Sequence, residues 1–158
     1  PFQVVVITGG DNALYTKLVK RSRLFPIQVK NYVTNIPDWM ISADLLITKA
    51  GGLILSEGLA AGLPIVLINN LPGQEEGNVR YILENNAGIQ ASTPAELIPI
   101  MNSWLSDGQS NLNTIKNNSC RLGHPSAAVS VSESLWQAAS TYTVSEPFTH
   151  PKIVGYLE

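Results

Sequence analysis

The chain has 158 residues, with 10 Lys and Arg against 12 Asp and Glu and a net charge of −2, so no bulk positive field draws it to nucleic acid. A chain of this length favours one domain and buries about 70% of its unfolded surface, enough for a core without metal or disulfide. Cys120 is the sole cysteine, which excludes an internal disulfide and fits a reducing compartment, with Cys120 expected as an inert packing residue.

No apolar run reaches the roughly 20 residues that a spanning helix needs, because Gly51, Gly52, Gly58, Gly62 and Pro64 interrupt the longest oily stretch. There is no signal-peptide pattern, and Pro1 stands beside a strand-like run without an initiating methionine, so a piece of a longer protein is expected.

Residues 3–8, QVVVIT, read as a buried strand ending in a tight turn at Gly9 and Gly10. Asp11 or Asn12 then caps a helix over 13–22, with Leu14, Leu18 and Val19 on one stripe and Lys17, Lys20 and Arg21 opposite. A strand follows at 27–32, and a short helix at 37–42 with Pro37 at its first position. Residues 43–48 and 64–68 are further apolar strands, and between them a helix over 53–61 is closed by Gly62. That strand, helix, strand sequence is a parallel βαβ crossover.

Residues 75–86 predict a helix with Val79, Ile82 and Leu83 inward, followed by a brief strand at 88–91. Three helices then fill 93–104, 107–119 and 125–141, the last with Ala127, Ala128, Val131, Leu135 and Ala138 roughly on one face. The domain is thus expected over 1–142 and an extended tail, with Pro147 and Pro151, over 143–158. Strands alternating with helices imply a doubly wound α/β fold on a parallel sheet, which binds ligands beyond the carboxyl ends of its strands. The loops at those ends are Gly9-Gly10, 49–52 and 69–74.

Between Ala50 and Gln74 the single ionisable side chain is Glu57. An unpaired charge is costly to bury, so Glu57 either meets solvent, pairs with a Lys or Arg, or holds a polar ligand such as the two hydroxyls of a ribose. Gly51 and Gly52 precede its helix. They form either a tight strand-to-helix turn or a place where backbone N–H groups and the helix dipole meet a diphosphate. Neither G-x-G-x-x-G nor G-x-x-x-x-G-K-[ST] is present in this loop, so dinucleotide and P-loop sites are not supported. Gln74, Glu75 and Glu76 open the next helix, where they either read sugar hydroxyls or cap the helix.

The order TKAGG, SE, G-L-P and P-G-Q-E-x-x-N resembles the carboxyl-terminal donor domain of glycosyltransferase family 28, a Rossmann-like half of the GT-B fold. Within that family, PGQEEGNVRYILENNAG looks most like the monogalactosyldiacylglycerol synthases and diacylglycerol glucosyltransferases. The resemblance implies that this domain binds a UDP-sugar, UDP-galactose or UDP-glucose, for inverting transfer to a lipid such as diacylglycerol. The acceptor and the base would belong to a separate amino-terminal domain. By position Glu57 would hold the ribose, Gly51 and Gly52 the diphosphate, and Gln74, Glu75 and Asn78 the sugar and neighbouring phosphate. The backbone of Asn35-Ile36-Pro37 would meet the uracil edge, and Lys49 would neutralise phosphate or finish its strand.

The same resemblance implies no cofactor and no metal, a peripheral membrane or cytoplasmic location, and no catalytic residue in this piece, which is expected to be inactive alone. His124 and His150 are expected to be structural or exposed. Ile54 stands where many relatives carry threonine. The rival readings are a nucleotide-sugar-binding subunit that needs a separate membrane acceptor subunit, and an inactive relative.

Overall fold

The computed structural model describes residues 3–22, 27–69, 71–106 and 110–141. Its elements run β1 (Val4–Ile7), α1 (Asn12–Ser22), β2 (Ile27–Lys30), α2 (Ile36–Ile41), β3 (Leu46–Thr48) and α3 (Gly52–Ala60). They continue with β4 (Ile65–Leu67), α4 (Glu76–Glu84), β5 (Gly88–Gln90), α5 (Pro94–Ser106), α6 (Ser110–Leu122) and α7 (Ala127–Thr141). The expected helix start at 107 and the tail at 143–158 lie outside the described residues.

Every described strand pairing is parallel, in two ladders, β1 with β2 and β3-β4-β5. The register sets Leu46, Ile47 and Thr48 against Ile65, Val66 and Leu67, and these against Gly88, Ile89 and Gln90. Thr48, Leu67 and Gln90 therefore end level, and the loops after β3 and β4 leave from one end of the sheet.

The central strand β4 is fully buried, and its alternation divides the core. Ile65 and Leu67 pack with Ala50, Leu55, Leu59, Ile82 and Ala87. Val66, on the opposite face, packs with Ala91, Trp104 and Leu112. Helices thus cover both faces of the sheet, which is why β4 reads as an unbroken Ile-Val-Leu run rather than an alternating one.

Two helix ends hold the layers in place. At α3, Gly62 has φ +71°, and the amides of Gly62 and Leu63 donate to the carbonyls of Leu59 and Gly58, each at 2.9 Å. This is a Schellman closure with glycine at its left-handed position. At α4 the same closure is made by Asn86 at φ +50°, with Ala87 donating to the Ile82 carbonyl at 3.0 Å. Asn118 and Ser119 of α6 then donate to the carbonyls of Asn86 and Ala87, tying α6 to that turn.

Two expectations need correcting. Leu83 is 37% exposed, because the inward face of α4 centres on Ile82 at 0%. Cys120 is exposed rather than packed. The chain divides into two units, Pro1–Gly123 and His124–Glu158, so α7 falls in the second, and it buries none of its residues.

Candidate functional site

The loop after β3 is built from Lys49, Ala50 and Gly51, and α3 begins at Gly52 without a side-chain cap or an acidic residue in its first turn. The leading amides of a helix have no intrahelical acceptor, and here no capping side chain meets them, so the positive end of the dipole is open. Gly51 has φ −68° and ψ 135°, backbone that any residue adopts. A Cβ added at Gly51 would lie 3.6 Å from Ile54 Cγ2, and one at Gly52 would lie 3.8 Å from Asn78 Nδ2, both ordinary van der Waals separations. Neither backbone strain nor crowding inside the protein demands glycine at these two positions.

Glu57 is half-buried on α3, five residues beyond Gly52 and therefore about 7.5 Å along the helix axis. Among the described residues the one ion pair joins Lys49 and Glu75. The Glu57 carboxylate makes no ion pair and accepts no hydrogen bond there. Among the described residues no cation pairs with Glu57 and no donor takes up its acceptor capacity.

The loop before α4 is closed on itself. Leu71 N donates to Glu75 Oε2 at 2.9 Å while Glu75 N donates to the Leu71 carbonyl at 3.2 Å. Gly73 N donates to Glu76 Oε1 at 2.9 Å, and Gln74 N donates to the Pro72 carbonyl at 3.0 Å. Glu76 thus fastens the turn before α4, whose helix amides meet no side-chain cap. Glu75 is 4% exposed, and its other oxygen, Oε1, accepts from Lys49 Nζ at 3.0 Å. The Leu71 amide and then the Lys49 ammonium hold its carboxyl below the ordinary carboxylate range, against the opposing effect of desolvation.

One further strut crosses between the loops, from Asn78 Nδ2 to the Ala50 carbonyl at 2.8 Å. The structure therefore brings Lys49, Gly51, Gly52, Glu75 and Asn78 together, with Glu57 further along α3 and the exposed Gln74 beside Glu75. Ile36 opens α2, which packs against α3, and Asn35 before it is held by Trp39 Nε1 and by Asp38. His124 is exposed. The Lys49–Glu75 pair and the Asn78–Ala50 strut were not legible in the sequence: their partners stand 26 and 28 residues apart, and only the β3–β4 register makes them neighbours.

An open cavity of about 520 Å³ lies along α4, lined chiefly by Leu71, Pro72, Val79, Arg80 and Leu83. At about 100° per residue, Arg80 and Leu83 lie about 80° or more round α4 from Glu75, Asn78 and Ile82, with Val79 between the two groups. Its lining includes neither Gly51 nor Gly52, and Leu83, which the sequence reading placed inward, opens onto the cavity.

Comparison with solved structures identifies the architecture. The chain superposes on WaaG, a glycosyltransferase involved in lipopolysaccharide biosynthesis, with a TM-score of 0.61 at 18% identity, over 89% of this chain and 38% of that one. It superposes on Anabaena HepE in complex with UDP-glucose with a TM-score of 0.61 at 16% identity, over 89% and 41%. The fold is the Rossmann-like carboxyl-terminal half of a GT-B glycosyltransferase.

Residues 1–128 match the glycosyltransferase family 28 C-terminal domain, and the chain belongs to that family. It is 35% identical over 129 residues to monogalactosyldiacylglycerol synthase 3, chloroplastic, of Arabidopsis thaliana, and 36% identical over 129 residues to a probable monogalactosyldiacylglycerol synthase, chloroplastic, of Nicotiana tabacum. Both alignments take in 82% of this chain but only 28% and 24% of those proteins. The chain spans about a quarter of the length of these curated relatives.

Proposed function

We propose that this chain is the donor-binding half of an inverting glycosyltransferase that moves a hexose from UDP-galactose or UDP-glucose to a lipid hydroxyl such as that of diacylglycerol. The observation that carries this reading is the Gly51-Gly52 loop, where two glycines needed by neither backbone nor neighbours front an uncapped helix start. The diphosphate accepts from those amides, and the ribose hydroxyls donate to Glu57. Gln74 and Asn78 meet the sugar and the adjoining phosphate, and the backbone at Ile36 meets the uracil edge.

In the reaction the lipid oxygen forms a bond to the anomeric carbon as the bond from that carbon to the diphosphate breaks. The electron pair leaves with UDP, and a base takes the hydroxyl proton. This chain's part is to meet the negative charge growing on UDP with preorganised N–H donors and a helix dipole, a contribution in which one lost donor typically costs on the order of 10² to 10³ in rate. The acceptor site and the base are assigned to the rest of a longer protein, so the chain alone binds donor without transferring it. The reading needs no cofactor beyond the UDP-sugar. The longer protein would work as a peripheral protein on the reducing side of a membrane.

Calorimetric titration with UDP, UDP-glucose and UDP-galactose tests this. Saturable binding of all three is expected, with the two sugars separated by affinity. A chain shown to be folded by circular dichroism that gives no heat at millimolar UDP would overturn the reading.

A further inference from the structure

We infer that Glu75 is a positioning residue and not a sugar ligand: it fixes the Lys49 ammonium beside the Gly51-Gly52 loop and locks the turn that displays Gln74. This rests on the donor-binding reading above and revises which acidic group faces the donor.

The geometry runs in one direction. Both Glu75 oxygens are engaged inside the protein, Oε1 by Lys49 Nζ at 3.0 Å and Oε2 by Leu71 N at 2.9 Å, and 4% of the residue reaches solvent. Its partner is the outward member of the pair, since the Lys49 side chain is 57% exposed. An ammonium has three N–H donors. One points into the buried carboxylate and the others are left for an anion arriving at the same loop. Lys49 without Glu75 would be a mobile four-carbon stem with several rotamers, and ordering such a side chain at binding opposes association. The carboxylate removes that mobility before the ligand arrives.

The second consequence falls on Gln74. Leu71 and Glu75 exchange bonds in both directions, and Gly73 is held by Glu76. The turn is closed at its base while Gln74 stays exposed with its side-chain amide unengaged among the described residues. The strut from Asn78 to the Ala50 carbonyl fastens this turn to the diphosphate loop, so displacement of one loop displaces the other.

The test compares the unaltered chain with Glu75→Gln, Lys49→Met and the double variant, titrating each with UDP and with UDP-glucose and UDP-galactose and recording each melting temperature. Glu75→Gln keeps an oxygen for Leu71 N–H while removing the charge that holds Lys49. A positioning role predicts that its affinity for UDP and for the UDP-hexoses falls by the same factor, about tenfold. It also predicts that Lys49→Met adds little in the Glu75→Gln background, because the two act as one unit. Weakening confined to the UDP-hexoses would make Glu75 a direct sugar contact and sink the inference. So would additive losses, or a lowered melting temperature with unchanged affinities. If Glu75→Gln does not fold, Lys49→Met, altered at an exposed side chain, decides by itself: unchanged UDP affinity overturns the inference. No UDP binding by the unaltered chain would remove the donor reading first and this inference with it.

Discussion

Two glycine pairs end strands in this protein, Gly9-Gly10 after β1 and Gly51-Gly52 after β3, and they are glycine for different reasons. Gly9 and Gly10 have φ of +64° and +98°, where L side chains are strained whatever the space around them. Gly51 has ordinary extended backbone, and both it and Gly52 have room for a Cβ. The helices that follow differ in the same sense. At α1 the Asp11 carboxylate accepts from Leu14 N at 2.9 Å, so the chain supplies its own anion to that helix start. At α3 no side chain does so. One loop is satisfied internally and the other is left open, and on that difference rests the proposal that the donor diphosphate binds at the second.

The largest expected effect is at the open loop. Gly52→Val should leave the melting temperature nearly unchanged while weakening UDP at least about a hundredfold, roughly 2.7 kcal/mol, by calorimetry. Retained affinity would show that the amides of α3 do not meet the diphosphate. Next is Glu57→Ala, expected to weaken UDP by roughly 1.5 to 3 kcal/mol, the usual size of a hydrogen bond to a charged group, with little change in denaturant midpoint. A large drop in stability at constant affinity would instead return Glu57 to a structural role.

The closed loop should behave in the opposite way. Gly10→Ala is expected to cost roughly 1 to 2 kcal/mol of stability through its left-handed backbone and to leave UDP affinity where it was. Weakened UDP binding in a stably folded Gly10→Ala chain would break the comparison, because both loops would then serve the ligand.

The smallest effect concerns the tie that holds the open loop. The Glu75 carboxyl is depressed in the folded protein, so its contribution to stability is complete above the unfolded-state pKa and disappears as pH falls through the lower folded-state one. The melting-temperature gap between the unaltered chain and Glu75→Gln should therefore be constant from neutral to mildly acidic pH and close only below the ordinary carboxylate range. A gap that closes nearer neutrality would mean that the Leu71 and Lys49 bonds do not govern this carboxyl.

Much of the fold was legible because it depends on neighbours along the chain. The C′ position of Gly62 followed from a glycine after an apolar helical run, and β4 followed from an uninterrupted Ile-Val-Leu. Asn86 closes α4 by the same geometry, yet asparagine is a weaker signal than glycine, and the helix was expected to run through it. Leu83 was placed inward by helical spacing, but spacing does not say which side of an apolar stripe meets the sheet.

The candidate site divides in the same way. Gly51, Gly52, Glu57 and the segment from Gln74 to Asn78 could be named from local pattern, because each lies where a strand hands over to a helix or within a turn or two of that point. Whether a glycine was needed by its own backbone required φ angles, and whether Glu57 had a cation beside it required the whole arrangement of charges.

By itself the sequence determined that this protein is an α/β chain with parallel strands and a polar cluster around the ends of two of them. Those features follow from periodicity and from residues close in sequence. Only the tertiary structure decided that Glu75 turns inward to Lys49 while Glu57 meets no cation among the described residues. That choice depends on β3 lying beside β4, which sets residues 26 apart at hydrogen-bonding distance, and no local propensity encodes a contact made across a sheet.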